Sequence, residues 1–124
     1  MKINFPVFVL AKDCGEITRF DSIDEMQREL ERIDVEHNEY AAWECNGRAL
    51  ELKTQQPSWL CLELLGASAD KPLAAALENY AASLDVSLKI GSSTPERLNK
   101  AYEEIRAHVQ KRGLLSRFFS RSKS

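Results

Sequence analysis

His37 stands among Asp34, Glu36 and Glu39, the one place where an imidazole and several carboxylates crowd together in this chain. Such a cluster could recruit a divalent cation or form an acid–base pair. Metal and hydrolytic sites, however, draw on several imidazoles, or on one held beside a nucleophile. The only other histidine, His108, lies far along the chain, between Ile105 and Val109, at the edge of an apolar helical stripe. His37 therefore reads as part of a solvated charged loop, and His108 as a boundary residue. The three cysteines, Cys14, Cys45 and Cys61, are odd in number and lack metal-type spacing, which suits thiols kept reduced inside the cell. Asp13 and Glu16 beside Cys14 disfavour its thiolate, so it makes a poor nucleophile. Carboxylate pairs such as Asp24/Glu25, Glu29/Glu31 and Glu103/Glu104 fall on the polar sides of expected helices, whereas an acid–base couple needs burial to split its pKa values. No GxGxxG, Walker, GxSxG, HExxH or CxxC pattern occurs. The expectation is a protein with no catalytic residue, no metal and no cofactor.

Charge is distributed far less evenly than the net value of −2 suggests. Nine carboxylates lie between Asp21 and Glu44, against only Arg28 and Arg32. Residues 1–110 carry twelve cations and nineteen acids, a charge of −7, and residues 111–124 carry five cations and no acid. A focused acidic surface steers cationic partners into place, so this map speaks to association rather than to bond chemistry. The expected contact residues are Asp34, Glu36 and Glu39, with Tyr40 and Trp43 as exposed aromatic anchors and Glu29 and Glu44 as supporting charges. A body at −7 with no stacking platform argues against nucleic acid as the partner.

The elements that would position these residues follow from patterning. Phe5–Leu10 and Ile17–Phe20 flank the turn Lys12-Asp13-Cys14-Gly15 and predict a β-hairpin. Ser22-Ile23-Asp24-Glu25 fits a capping box, and Ile23, Met26, Leu30 and Ile33 form one stripe of a helix running through to residue 33. A polar connector, residues 34–39, leads to strands on either side of Asn46-Gly47, a dipeptide suited to a type I′ turn. Residues 59–65 read as an interior strand with Leu60, Leu62 and Leu64 on the core side. A helix opening at Asp70 and Pro72 carries Leu73, Leu77, Tyr80 and Leu84, and Val86–Ile90 alternates like a short strand. Thr94 and Pro95 then open a last helix with the stripe Leu98, Tyr102, Ile105, Val109. The order predicts an α+β fold: a mainly antiparallel sheet of five or six strands with about three helices packed on one face. Residues 1–112 form a single domain, and 113–124 a basic amphipathic tail in which Leu114, Leu115, Phe118 and Phe119 alternate with cations.

The stretch from Asp21-Ser22-Ile23-Asp24-Glu25-Met26 through Ile33-Asp34-Val35-Glu36-His37-Asn38-Glu39-Tyr40-Ala41-Ala42-Trp43, with Asn46-Gly47-Arg48 after it, resembles a pattern in small bacterial proteins. Some of these are similar to immunity proteins that accompany contact-delivered toxins. The resemblance covers residues 5–55. It implies a non-enzymatic cytoplasmic antidote that occludes the active site of its cognate toxin with an acidic surface. No apolar run reaches the ~20 residues of a transmembrane helix. Val7–Ala11 is too short, and too soon followed by Asp13, for a secretory signal. The alternative is a structural or regulatory module that self-associates through its apolar-basic tail, with a homodimer as the product.

Overall fold

The computed structural model describes residues 3–54, 59–65, 70–91 and 94–112. In chain order the elements are β1 (Val7–Ala11), β2 (Ile17–Phe20), α1 (Ile23–Glu29), α2 (Arg32–Glu36), β3 (Tyr40–Trp43), β4 (Ala49–Lys53), β5 (Cys61–Leu64), α3 (Asp70–Ser83) and α4 (Pro95–Arg112). The strands form one antiparallel sheet in the order β2-β1-β3-β4-β5, as the α+β expectation requires. Its first hairpin closes where expected: the Ala11 amide donates to Glu16 O at 2.9 Å, and Gly15 takes φ +79 in the turn. The basic tail, residues 113–124, lies outside the described residues.

The layering differs from the expectation of helices on one face. β1 is apolar on both sides, and each side has its own core. Val7, Val9 and Ala11 point into a cluster with Phe20, Met26, Leu30, Val35, Tyr40, Ala42, Leu50 and Leu60. Phe8 points the other way, into a cluster with Ile17, Trp43, Leu73, Leu77, Ala81, Leu98, Ala101, Tyr102 and Ile105. Alternate residues of a strand face opposite sides, so a strand without a polar face needs a layer on each. Residues of α1 and α2 line the first cluster, and α3 and α4 line the second.

Arg19 ties edge strand β2 to α4. Its Nη1 donates to Asn99 Oδ1 at 2.7 Å, its Nη2 reaches Glu103 Oε2 at 3.4 Å, and its guanidinium lies 4.9 Å from the centroid of the Tyr102 ring. Tyr102 in turn meets Phe8 edge-on, at a centroid distance of 5.7 Å. Thr94 caps α4 as expected, its Oγ1 accepting from the Arg97 amide at 3.3 Å.

Three other expectations need correction. Residues 59–65 do supply Leu60, Leu62 and Leu64 to one core, but among the described residues β5 pairs only with β4 and is an edge strand, not an interior one. The turn after β3 closes with the Glu44 amide donating to Arg48 O at 2.8 Å. Only Gly47 has positive φ (+88), so this is a three-residue connection with a left-handed glycine and not a type I′ turn. Val86–Ile90 is alternately half-buried, yet pairs with no strand among the described residues. Side-chain bonds to helices hold it instead: the Ile90 amide donates to Glu78 Oε2 at 2.8 Å, and Arg97 Nη2 donates to Lys89 O at 2.6 Å.

Candidate functional site

The acidic segment does not run through one long helix. Ser22 caps α1 with its Oγ accepting from the Glu25 amide at 3.1 Å, and Glu25 Oε1 accepts from the Asp21 amide at 2.9 Å, one residue before the cap. α1 then ends at Leu30, whose backbone is extended (φ −89, ψ 146), and Glu31 is extended too (φ −93, ψ 132). Leu30 stays in the core across this break, and α2 begins at Arg32. Ile33 falls out of the apolar stripe it would share in a continuous helix and is 54% exposed.

The end of α2 is fixed by its backbone. Asn38 takes the left-handed conformation (φ +58), its amide donates to Val35 O at 3.1 Å, and the Glu39 amide donates to Asp34 O at 2.9 Å. These two bonds form a Schellman motif, with asparagine at the left-handed position that most residues resist. On the corner so built, Glu31, Arg32, Ile33, Glu36, His37 and Asn38 are exposed, and Asp34 and Glu39 are half-buried. Arg32 Nε sits 3.4 Å from Glu36 Oε2, and the Tyr40 hydroxyl donates to Asp34 Oδ2 at 3.2 Å. Ile33 is thus exposed on a short helix that also bears Asp34 and Glu36, with Arg32 paired to Glu36 beside it.

The seven expected contact residues divide into three groups. Asp34, Glu36 and Glu39 share the α2 corner. Glu29 instead lines a neighbouring polar groove with Thr18, Arg19, Phe20, Asp21, Glu25 and Arg106. The other three are not on the surface. Tyr40 is 5% exposed in the first core and touches the corner only through its hydroxyl, and Trp43 is 6% exposed in the second core. The expected aromatic anchors are therefore packing residues, because β3 lies inside the sheet with both faces covered.

Glu44 is fully buried. Its Oε2 accepts from the Asn4 amide at 2.7 Å, while Oε1 lies 3.9 Å from Arg48 Nε and has no hydrogen-bond partner among the described residues. It pins the segment before β1 to the β3–β4 hairpin, a structural duty. The surface residue that sequence patterning missed is Ile33. Its helical spacing concealed it, and the only local hint was Asn38 six residues ahead of Glu44.

Among the described residues no group of three or more histidine, cysteine, aspartate or glutamate side chains is placed to hold a metal ion. Cys14 is exposed and Cys45 half-buried. The Cys14 thiol is pushed up chiefly by desolvation, with Asp13 and Glu16 adding to the shift against a backbone hydrogen bond at Glu16. Desolvation and the nearby Glu44 carboxylate do the same to Cys45. Both are therefore held as thiols at neutral pH, the unreactive form. Among the described residues, no helix is long and apolar enough to cross a membrane. Comparison of the chain with protein-family models, curated proteins and solved structures found no match.

Proposed function

We propose that the protein is a non-enzymatic binding module whose α1–α2 corner docks on a basic protein surface. The observation that carries this reading is Ile33, more than half exposed on α2, the short helix that also carries Asp34 and Glu36 and is flanked in sequence by Glu31 and Glu39. A large apolar side chain left in water is costly alone but useful as an anchor. Burying it in a partner's pocket is worth about 1.5–3 kcal/mol, and the carboxylate rim supplies steering and selects against acidic surfaces. The Schellman bonds fix the C-terminal end of the helix that carries Ile33, which lowers the entropy lost on docking.

Within that class the reading that suits the acidic corner best is a bacterial immunity protein, acting in the cytoplasm. Toxins that act on nucleic acids need basic clefts, and an exposed isoleucine flanked in sequence by carboxylates suits one. The test is to place a photo-crosslinking residue at position 33 and, as a control, at exposed Glu104 on α4, in the producing cell. The account expects a basic protein crosslinked from position 33 and not from 104. It also expects that protein's toxicity to be suppressed by the wild-type chain and restored by Ile33→Asp. Equal crosslinking from both positions, or suppression that survives Ile33→Asp, contradicts it.

A further inference from the structure

The two edges of the sheet differ in how they are closed. β2 is buried along its length, with Ile17 2%, Thr18 6% and Phe20 1% exposed, and Arg19 clamps it to α4. β5 is open. Among the described residues it pairs with β4 alone; Cys61, Leu62 and Leu64 are half-buried, and Glu63 and Leu65 are exposed. The Leu65 amide donates to Ala49 O at 3.0 Å, which sets the alternation of the β4–β5 ladder. The backbone groups of Cys61 and Glu63 then turn inward to β4, and those of Leu62 and Leu64 turn outward. Among the described residues no backbone bond reaches these outward groups, and Leu62 O meets only the Cys61 thiol, at 3.9 Å. A row of unpaired amides and carbonyls is a template for another strand, and proteins commonly blunt such edges with lysine, proline or a bulge. Cys61-Leu62-Glu63-Leu64 holds no lysine and no proline, and its register with β4 is unbroken.

We infer that β5 pairs antiparallel with β5 of a second copy of this chain, about a two-fold axis at Leu62, joining the two sheets edge to edge. The strand is self-complementary in that register. Leu62 stands opposite Leu62 of the second copy, Leu60 opposite Leu64, and Cys61 opposite Glu63. The leucines share one side of the sheet: Leu60 is 2% exposed in the first core, and Leu62 and Leu64 pack against that core while still half-buried. Pairing sets the half-buried leucines of both copies side by side and continues the core across the axis. Glu63, the only charged residue of β5, chooses between the two central registers. An axis at Glu63 would set two carboxylates directly opposite each other, whereas an axis at Leu62 keeps them apart. Within each copy the charge is already balanced, because both Glu63 oxygens lie 3.3 Å from Lys53 Nζ. A foreign strand would have to bring a matching leucine alternation, and a second copy brings it by symmetry. This inference does not depend on what the α2 corner binds.

The experiment follows amide hydrogen exchange of the purified full-length chain by NMR across a dilution series, with the mass from light scattering beside it. The expected result is a dimer at high concentration in which the Leu62 and Leu64 amides exchange at least about tenfold more slowly than in the dilute monomer. The Glu63 amide, bonded to β4 in both states, should be protected throughout. Leu62→Pro removes an outward donor without touching a bond to β4, and should hold the chain monomeric at every concentration. The wild-type exchange data decide the question even if that variant folds poorly. A monomer at all concentrations overturns the inference, as does a folded Leu62→Pro dimer. A dimer whose Leu62 and Leu64 amides stay fast also overturns it, by placing the interface elsewhere. Protection of these amides in the dilute monomer would mean that the chain covers its own edge, and protection gained only with an added basic protein would give the edge to a different partner; either result overturns the inference.

Discussion

Replacing Trp43 and Ile33 in turn separates a packed residue from an exposed one. Trp43 is 6% exposed and sits among Phe8, Leu73, Leu77 and Tyr102, on a strand with both faces covered. Trp43→Ala removes a large buried side chain and leaves a cavity, a change that costs about 3–5 kcal/mol. Domains are stable by only about 5–15 kcal/mol, so the variant should stand close to unfolding. In urea, with a slope of about 2 kcal/mol/M, the midpoint should fall by roughly 2 M. Ile33 is 54% exposed, and its truncation to Ser should move the midpoint by no more than about 0.5 kcal/mol's worth, as for ordinary surface positions. Equilibrium urea denaturation followed by circular dichroism gives both numbers. Should Trp43→Ala unfold at the wild-type midpoint, Trp43 is not a core residue, and the aromatic-anchor reading returns. Should Ile33→Ser lose as much as Trp43→Ala, the corner is packed rather than presented.

Three further outcomes are expected. Arg19→Lys should destabilise by about 1–2 kcal/mol in thermal or urea unfolding despite keeping the charge, because an ammonium cannot meet Asn99 and Glu103 while staying over the Tyr102 ring; wild-type stability would show the clamp to be ornamental. Ser22→Ala should cost about 1 kcal/mol through loss of the α1 cap, and Ser22→Asp should restore most of it; equal losses would mean the cap contributes through packing. The Tyr80 and Tyr102 hydroxyls are both pushed up, mainly by burial. The unfolded chain therefore releases these protons first, and stability should be intact below about pH 10 and decline as pH rises above it. Ultraviolet phenolate titration beside unfolding curves checks this, and phenolates that appear near pH 10 with no change in stability would refute it.

Much of the fold was legible where local chemistry and tertiary packing agree. The turn before Gly15, the Ser22 cap, the Thr94-Pro95 start of α4 and the apolar spacing of α3 and α4 all act over a few residues. The surprises lie where distant partners decide. Ile23, Met26, Leu30 and Ile33 are spaced for one helix, and nothing local forbids it; the break follows from keeping Leu30 and Val35 in the core while the chain turns towards β3. Val86–Ile90 alternates like a strand, but a strand exists only when a neighbour pairs with it, and here Glu78 and Arg97 take its backbone groups. Trp43 and Tyr40 looked exposed because they neighbour acids, yet β3 lies between β1 and β4, inside two layers. Glu44 was counted as surface charge for the same reason. Its burial follows from the Asn4 amide and the Arg48 side chain, neither of which a reading of the acidic stretch would single out.

The proposal that the α2 corner meets something positive is open to a kinetic test. Its most direct test is the association rate of the crosslinked partner, purified, with the wild-type chain and with the Glu36→Lys/Glu39→Lys variant across a series of salt concentrations. Electrostatic steering raises association from about 10⁵–10⁶ to as much as 10⁸–10⁹ M⁻¹s⁻¹ at low salt. The account predicts a wild-type rate that falls steeply with salt, and a variant at least about tenfold slower at low salt with a nearly flat dependence. Two superimposable curves would contradict it.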